Sequence, residues 1–233
     1  MGVLMSSHAC NGKYARLIVF DMDSTLIDAE TIDELAKAAG VGDEVAEITR
    51  RAMNGEMDYG EALRKRVALL RGLSVERAIE AVDQIQYNPG AKELVDRVRS
   101  LGYRTAMISG GFTLSADRIG RELGMDYVYS NELVVNGNIF TGEVRGPLTE
   151  HDSKMRVLIR IAKEEGVDHK KCVVIGDGAN DIQLFKEAGC RIAFNSKPVL
   201  QKYADVVVEG NDLHKVIPII ETLGSESDLD STL

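Results

Sequence analysis

Arg16-Leu17-Ile18-Val19-Phe20-Asp21-Met22-Asp23-Ser24-Thr25-Leu26-Ile27-Asp28 is the stretch whose reading decides the fold. The apolar run Leu17 to Phe20 contains β-branched residues and is long enough for a strand buried on both faces, but too short for a helix. Asp21 and Asp23 are disfavoured in strand interiors and costly to bury unpaired. That puts them at the carboxyl end of the strand, where open α/β sheets bind ligands. One intervening residue lets both point the same way. Like charges held so close repel, and a bound cation or a shared proton is the usual remedy. A turn capped by Asp21 beside a solvated Asp23 is the plainer reading, and the rest of the chain weighs against it.

The chain has 233 residues, which suits one large α/β domain or a core carrying an inserted subdomain. Hydrophobic residues make up 44%, ample for a core. The formal charge of −9 repels nucleic acid and anionic membrane surfaces, and 5% aromatics with no Trp leave few flat faces for stacking bases. Neither nucleic acid nor a membrane is expected as a partner. Cys10, Cys172 and Cys190 are odd in number and lack C-x-x-C spacing, which argues against a disulfide framework and a thiolate metal site. A reducing, cytoplasmic location is expected. Met1 to Asn11 has no basic region followed by an apolar one, so it does not read as a secretory signal. His8 and Cys10 lie two apart there, without further ligands nearby. No run of eighteen apolar residues offers a membrane span.

Past the opening strand, Thr31 stands three residues before Glu34 as in a capping box, and Ile32, Leu35, Ala36 and Ala39 give an apolar stripe ending at Gly40. Helical patterns follow at Asp43 to Met53, at Tyr59 to Leu70 and, behind a Ser74 cap, at Val75 to Ile85. Four helical segments before a second strand break the β-α-β rhythm and predict a helical-bundle cap, residues 29–87, inserted over the carboxylates. Asn88-Pro89 predicts the next helix start, with Asn88 as N-cap. Arg104 to Ile108 then reads as a strand ending in Ser109-Gly110-Gly111, and Val134 to Phe140 as a hairpin around Asn136-Gly137. Helix Lys154 to Glu164, strand Cys172 to Ile175, helix Ile182 to Ala188 and short strands Ile192 to Phe194 and Val206 to Val208 complete the pattern. The expected fold is α/β, a doubly wound, mostly parallel Rossmann-like sheet. Its core is residues 14–28 and 88–224; residues 1–13 and the acidic, Ser-rich end, 225–233, are expected to be disordered.

Ser109-Gly110-Gly111 sits between a strand and a helix, so a hydroxyl and exposed backbone N–H groups meet the positive end of a helix dipole, a setting for phosphate. Lys154 falls near the start of its helix, where the dipole disfavours a cation. Acidic groups or a phosphate in a shared cleft would hold it there. Val173-Val174-Ile175-Gly176-Asp177-Gly178-Ala179-Asn180-Asp181 repeats the opening logic, a buried strand running into a glycine-rich turn with two carboxylates. As half of a dinucleotide fingerprint it fails, because Asp181 stands where a third Gly or Ala belongs. As a metal site it adds hard oxygens, Asp177 and Asp181, at the sheet edge of Asp21 and Asp23.

Phe20-Asp21-Met22-Asp23-Ser24-Thr25-Leu26, Ser109-Gly110-Gly111, Lys154 and Gly176-Asp177-Gly178-Ala179-Asn180-Asp181 resemble, in order, the four motifs of the haloacid dehalogenase superfamily. The resemblance runs from about Tyr14 to about Ile220. It implies hydrolysis of a small phosphomonoester, O-phospho-L-serine, to L-serine and phosphate through an aspartyl-phosphate, the last step of serine biosynthesis. It assigns catalysis to Asp21 as nucleophile, Asp23 as acid and base, and Lys154. Mg2+ would be held by Asp21, Asp177 and the backbone carbonyl of Asp23, with Asp181 behind them. Ser109, Gly110 and Asn180 would bind phosphate, while Glu30 would face the substrate ammonium, Arg66 its carboxylate, and Met53 and Tyr59 would close over it. A phosphotransferase passing the group to another hydroxyl, such as that of homoserine, differs only in the acceptor. A non-catalytic sensor of a phosphorylated ligand would have no need of the nucleophile.

Overall fold

The computed structural model describes residues 3–5, 16–53 and 56–228. His8 and Cys10 lie outside them. At its centre β2 (Leu17–Phe20) is wholly buried, as its unbroken apolar run requires. It pairs in parallel with β3 (Arg104–Phe112) on one side and β6 (Val173–Gly176) on the other. Beyond β3 lie β4 (Tyr127–Asn136), parallel to it, and β5 (Ile139–Arg145), antiparallel. Beyond β6 lie β7 (Cys190–Phe194) and β8 (Val206–Val208), both parallel. The eight-stranded order β1-β8-β7-β6-β2-β3-β4-β5 is closed by β1 (Val3–Met5), antiparallel to β8. Val3–Met5 is thus part of the sheet, where no structure was expected for residues 1–13. Three residues are too few for periodicity to reveal a strand.

The chain first winds from β2 outward through β3 and β4, then returns to the other side of β2 with β6, β7 and β8. The strand order therefore reverses beside β2, and the crevice at such a switch point is where doubly wound sheets take their ligands. Alternate residues of the central strands pack on opposite faces. Ile18, Phe20, Met107 and Ile175 pack with α5 (Ala91–Ser100), α6 (Thr113–Leu123) and α10 (Ile217–Asp228). Leu17, Val19, Ile108 and Val174 pack with α7 (Ser153–Glu164), α8 (Ile182–Glu187) and α9 (Pro198–Gln201). Helix α10 continues to Asp228, past the point where a disordered tail was expected.

Between β2 and α5 run α1 (Thr31–Ala39), α2 (Gly42–Met53), α3 (Tyr59–Leu69) and α4 (Val75–Asp83). Ser74 caps α4, its hydroxyl accepting from the N–H of Arg77. The hairpin β4–β5 reaches up to these helices: Gly72 N–H donates to Phe140 O at 2.9 Å and Phe140 N–H to Leu73 O at 3.0 Å. Through Leu70, Leu73, Leu133 and Phe140 the helices share one apolar cluster with the α5 face.

Two local readings change. Helix α5 starts at Ala91 behind Gly90, not at Asn88-Pro89, because the Asn88 amide is drawn to the carbonyls of Thr25 and Ile27. Strand β3 runs on to Phe112, so Ser109-Gly110-Gly111 lies in a strand with a register shift rather than at a helix start. Among the cysteines, Cys172 is free and buried, whereas Cys190 is disulfide-bonded. The odd count argued against a disulfide framework, and Cys190 nevertheless takes part in a disulfide. No helix among the described residues is long and apolar enough to cross a membrane.

Candidate active site

The ends of β2, β3 and β6 converge because the three strands are parallel neighbours. Asp21 is the first residue past β2, tied to β6 by its N–H to Ile175 O at 2.9 Å. Only 2% exposed, it accepts the Met22 N–H on Oδ1 at 2.7 Å, and its Oδ2 faces Lys154 Nζ at 2.8 Å and the Asn180 amide at 3.4 Å. Lys154, second residue of α7 and 4% exposed, also reaches Asp181 Oδ1 at 2.7 Å. Burial works to lower its pKa, but the pull of Asp181 and Asp21 wins and holds the ammonium above the ordinary lysine value. The cation misplaced for its helix is thus explained by two buried carboxylates.

Asp177 follows the end of β6, and a 3-10 turn, Ala179–Asp181, brings Asp181 back over the strand. Gly176 makes room for it: a Cβ there would lie 2.4 Å from Asp181 Oδ2. Carboxylate oxygens of Asp21, Asp177 and Asp181 all come within 4.8 Å of one another. Burial first, then the charge of Asp21, pushes Asp177 up to about 8 and Asp181 up to about 7. Lys197, half-exposed, adds an ammonium 3.6 Å from Asp177 Oδ2. Clustered hard oxygens carrying this cost fit a divalent cation of the magnesium or calcium type. The carboxylate that joins Asp21 and Asp177 in this group is that of Asp181; the carboxylate of Asp23 turns elsewhere.

Asp23 Oδ1 accepts the Thr31 N–H at 3.1 Å and the Thr31 hydroxyl at 2.5 Å, and Oδ2 lies 3.5 Å from Ser109 Oγ. Burial first, then the charge of Glu30, raises its pKa to about 8, so at neutral pH Asp23 keeps a proton. The turn between Asp23 and Glu30 bends through Ser24 at φ 55°, a sparsely populated conformation of the kind that clusters at functional sites. The Ser24 hydroxyl donates to Glu30 Oε1 at 2.7 Å, aiming Glu30 toward the carboxylates; burial raises the Glu30 pKa against that bond.

Ser109 Oγ accepts the Gly111 N–H at 2.9 Å. Gly110 lets Tyr59 approach, since a Cβ there would meet the Tyr59 hydroxyl oxygen at 2.2 Å. A hollow lined by Tyr59, Leu148, His151, Lys154 and Asn180 opens beside Asp21. The structure therefore gathers Asp21, Asp23, Glu30, Tyr59, Ser109, Gly110, Lys154, Asp177, Asn180 and Asp181 around the strand ends. Arg66 stands further out on α3, with Nη1 3.5 Å from Thr49 Oγ1, while its charge works against the burial that raises the Asp33 pKa. Met53, at the end of α2, is 67% exposed and lines a surface hollow with Asp33, Thr49 and Arg50.

Thr31, Gly111, Gly176, Ser24 and Lys197 were missed as site residues. Thr31 did carry a signal, read as a capping box, but α1 is capped at Glu30 with no side-chain bond. The glycines were visible as turn formers, whereas the side chains they admit come from distant segments. Lys197 had no local signal.

The family model of the haloacid dehalogenase-like hydrolases matches residues 18–186. A phosphoserine phosphatase of Methanocaldococcus jannaschii is 43% identical over 209 residues, 90% of this chain and 99% of that protein. One of Streptococcus thermophilus is 44% identical over 208 residues, 89% of this chain and 97% of that protein. Among solved structures, a substrate-bound phosphoserine phosphatase complex superposes with a TM-score of 0.84 at 42% identity, covering 90% of this chain and 99% of that one. A phospho-aspartyl intermediate analogue of phosphoserine phosphatase gives 0.85 at 42% identity, covering 89% and 99%. Motif order, strand-end carboxylates and the matched span agree, and the chain belongs to the haloacid dehalogenase-like hydrolases.

Proposed function

We propose that this enzyme hydrolyses O-phospho-L-serine to L-serine and phosphate, with Asp21 as nucleophile, Asp23 as acid and base, and Mg2+ as cofactor. One observation carries the division of labour. Two aspartates separated by one residue have opposite surroundings: Asp21 lies against Lys154 in the carboxylate cluster, whereas Asp23 is held by Thr31 with its pKa raised to about 8.

In the first half-reaction an Asp21 oxygen attacks phosphorus, the bond from phosphorus to the serine oxygen breaks, and the departing alkoxide takes the Asp23 proton. In the second, Asp23 removes a proton from a water that attacks the aspartyl-phosphate, freeing phosphate and restoring both carboxyl groups. Lys154, Ser109, and backbone N–H groups at Gly110 hold the non-bridging phosphate oxygens as charge shifts. Asp21, Asp177 and the backbone carbonyl of Asp23 would hold Mg2+, with the Asp181 carboxylate beside them, and the bound cation would neutralise charge between the anionic nucleophile and the anionic phosphate. Glu30 supports an amino-acid substrate because it is a carboxylate beside the nucleophile that could meet an ammonium group. Arg66 and Tyr59 would act on the far side, and Met53 would have to turn inward to join them.

Phosphate release from O-phosphoserine, with Mg2+ or with excess chelator, and with or without homoserine, tests this reading. Metal-dependent release unaffected by homoserine is expected. Phosphohomoserine formation in place of release would make the enzyme a transferase. Binding without turnover would make it a sensor.

A further inference from the structure

Thr31 opens α1 and is fully buried, yet it does not serve its own helix. Both of its donors, the N–H at 3.1 Å and the hydroxyl at 2.5 Å, go to the same oxygen, Asp23 Oδ1. The N–H cannot reverse direction, so an oxygen already accepting from it is a poor seat for a proton. The other oxygen, Oδ2, lies 3.5 Å from Ser109 Oγ, in the strand segment assigned to phosphate. It is packed so closely on Gly111 that a Cβ there would come within 2.7 Å of it. The two oxygens of Asp23 therefore face different ways, Oδ1 toward α1 and Oδ2 toward the reacting centre. Thr31 Oγ1 also stands 3.5 Å from Ser115 Oγ on α6, whose hydroxyl donates to Phe112 O at 3.2 Å. The contact ties the first turn of α1 to the helix that follows the phosphate strand.

We infer that Thr31 is a positioning residue that pins Asp23 through Oδ1, so that Oδ2 is the oxygen that gives a proton to the leaving alkoxide and later takes one from water. Because Thr31 sits on α1, proton transfer depends on the seating of that helix over the strand ends. The inference rests on the acid and base role proposed for Asp23 and adds how its geometry is set. No contact of Thr31 with substrate is involved.

The test compares Thr31→Val, which keeps shape and backbone N–H but loses the hydroxyl, with Thr31→Ser, which keeps the donor. Substrates are O-phosphoserine, whose alkoxide needs a proton to leave, and an aryl phosphate with an acidic phenol, which does not. The ratio kcat/KM covers binding through the first bond cleavage, so it isolates the acid step from the later attack of water. Thr31→Val should lower kcat/KM for phosphoserine about thirtyfold or more, part of the hundredfold or greater contribution of a placed general acid. For the aryl phosphate, kcat/KM should change less than about threefold, while kcat falls because the water step is shared; KM must then fall with it. Thr31→Ser should lie within about threefold of the parent on both substrates. Thr31→Ala, which removes the same hydroxyl without a second methyl, should repeat the Val pattern and serves if the Val variant melts below assay temperature. Equal losses on the two substrates, no loss on either, or no rescue by Ser would overturn the inference. Asp23→Asn is run beside them: if it too loses kcat/KM equally on both substrates, the acid role of Asp23 fails, and the reading beneath the inference fails with it.

Discussion

Asp21 and Asp23, alike in type and separated by one residue, have different neighbours. The first is held by the Lys154 ammonium and the Met22 N–H; the second lies between Thr31 and Ser109 and keeps its proton at neutral pH. Asp21→Asn removes the oxygen proposed as the nucleophile at nearly constant size, so the fold should survive while kcat drops to below about a hundredth of the parent value, given the millionfold or larger accelerations of enzymes. Circular dichroism with steady-state kinetics checks both halves. In the proposed reading, substrate choice would fall to Glu30 and Arg66. An unpaired buried charge costs about 2–5 kcal/mol, so Glu30→Gln or Arg66→Ala should lower kcat/KM for phosphoserine roughly thirtyfold to several thousandfold, and far less for an aryl phosphate. Equal losses on every substrate, or a sugar phosphate preferred by the parent enzyme, would remove the amino-acid assignment. The motif residues were legible because each is a costly residue in a conspicuous place, such as a carboxylate closing an apolar strand or a lysine opening a helix. Thr31 was not, since a threonine before a helix has an ordinary explanation and its real partner stands eight residues away.

At the scale of elements, the site is assembled where strand glycines leave room for side chains from other segments. Gly176 ends β6, and any side chain there would strike Asp181, which itself holds Lys154. Gly176→Ala should therefore leave the sheet intact but weaken Mg2+ binding and lower kcat/KM by more than about tenfold, since a misplacement of about 1 Å costs on the order of a hundredfold. Calorimetric Mg2+ titration beside kinetics would show whether both move together; unchanged binding would clear the glycine of this role. Strands and helices with strong periodicity, from β2 through α1 to α4, were legible, and so was the hairpin, with Gly137 at φ 63° in its turn. Element ends were less so. Asn88 reads as a helix cap until the carbonyls of Thr25 and Ile27, more than sixty residues away, claim its amide. The strand that carries Ser109-Gly110-Gly111 outlasts its apolar run because its neighbour β4 supports it.

For the whole molecule, the switch point beside β2 concentrates carboxylates that the fold must bury, and function is gained against stability. A carboxyl with a raised folded pKa binds its proton more tightly in the folded chain than in the unfolded one. The stability it lends is complete below its ordinary value near 3.8 and is lost as pH climbs toward about 8 for Asp23 and Asp177, and about 7 for Asp181. Protein stripped of metal should therefore melt at lower temperature at pH 8 than at pH 6, and the gain in Tm on adding Mg2+ should grow over that range. Asp177→Asn should raise the Tm of stripped protein at pH 8, and its Mg2+ response should shrink. Scanning calorimetry decides this, and a parent Tm rising from pH 6 to 8 without metal would contradict it.

The most direct test of the central claim is chemical trapping of the nucleophile. The enzyme is mixed with O-phosphoserine carrying radioactive phosphorus, quenched in acid within one turnover, digested and mapped by mass spectrometry. Label on the peptide containing Asp21, absent from Asp21→Asn, is the expected result. Phosphate released from phosphoserine by enzyme that never carries label, or label on another residue, would contradict the account.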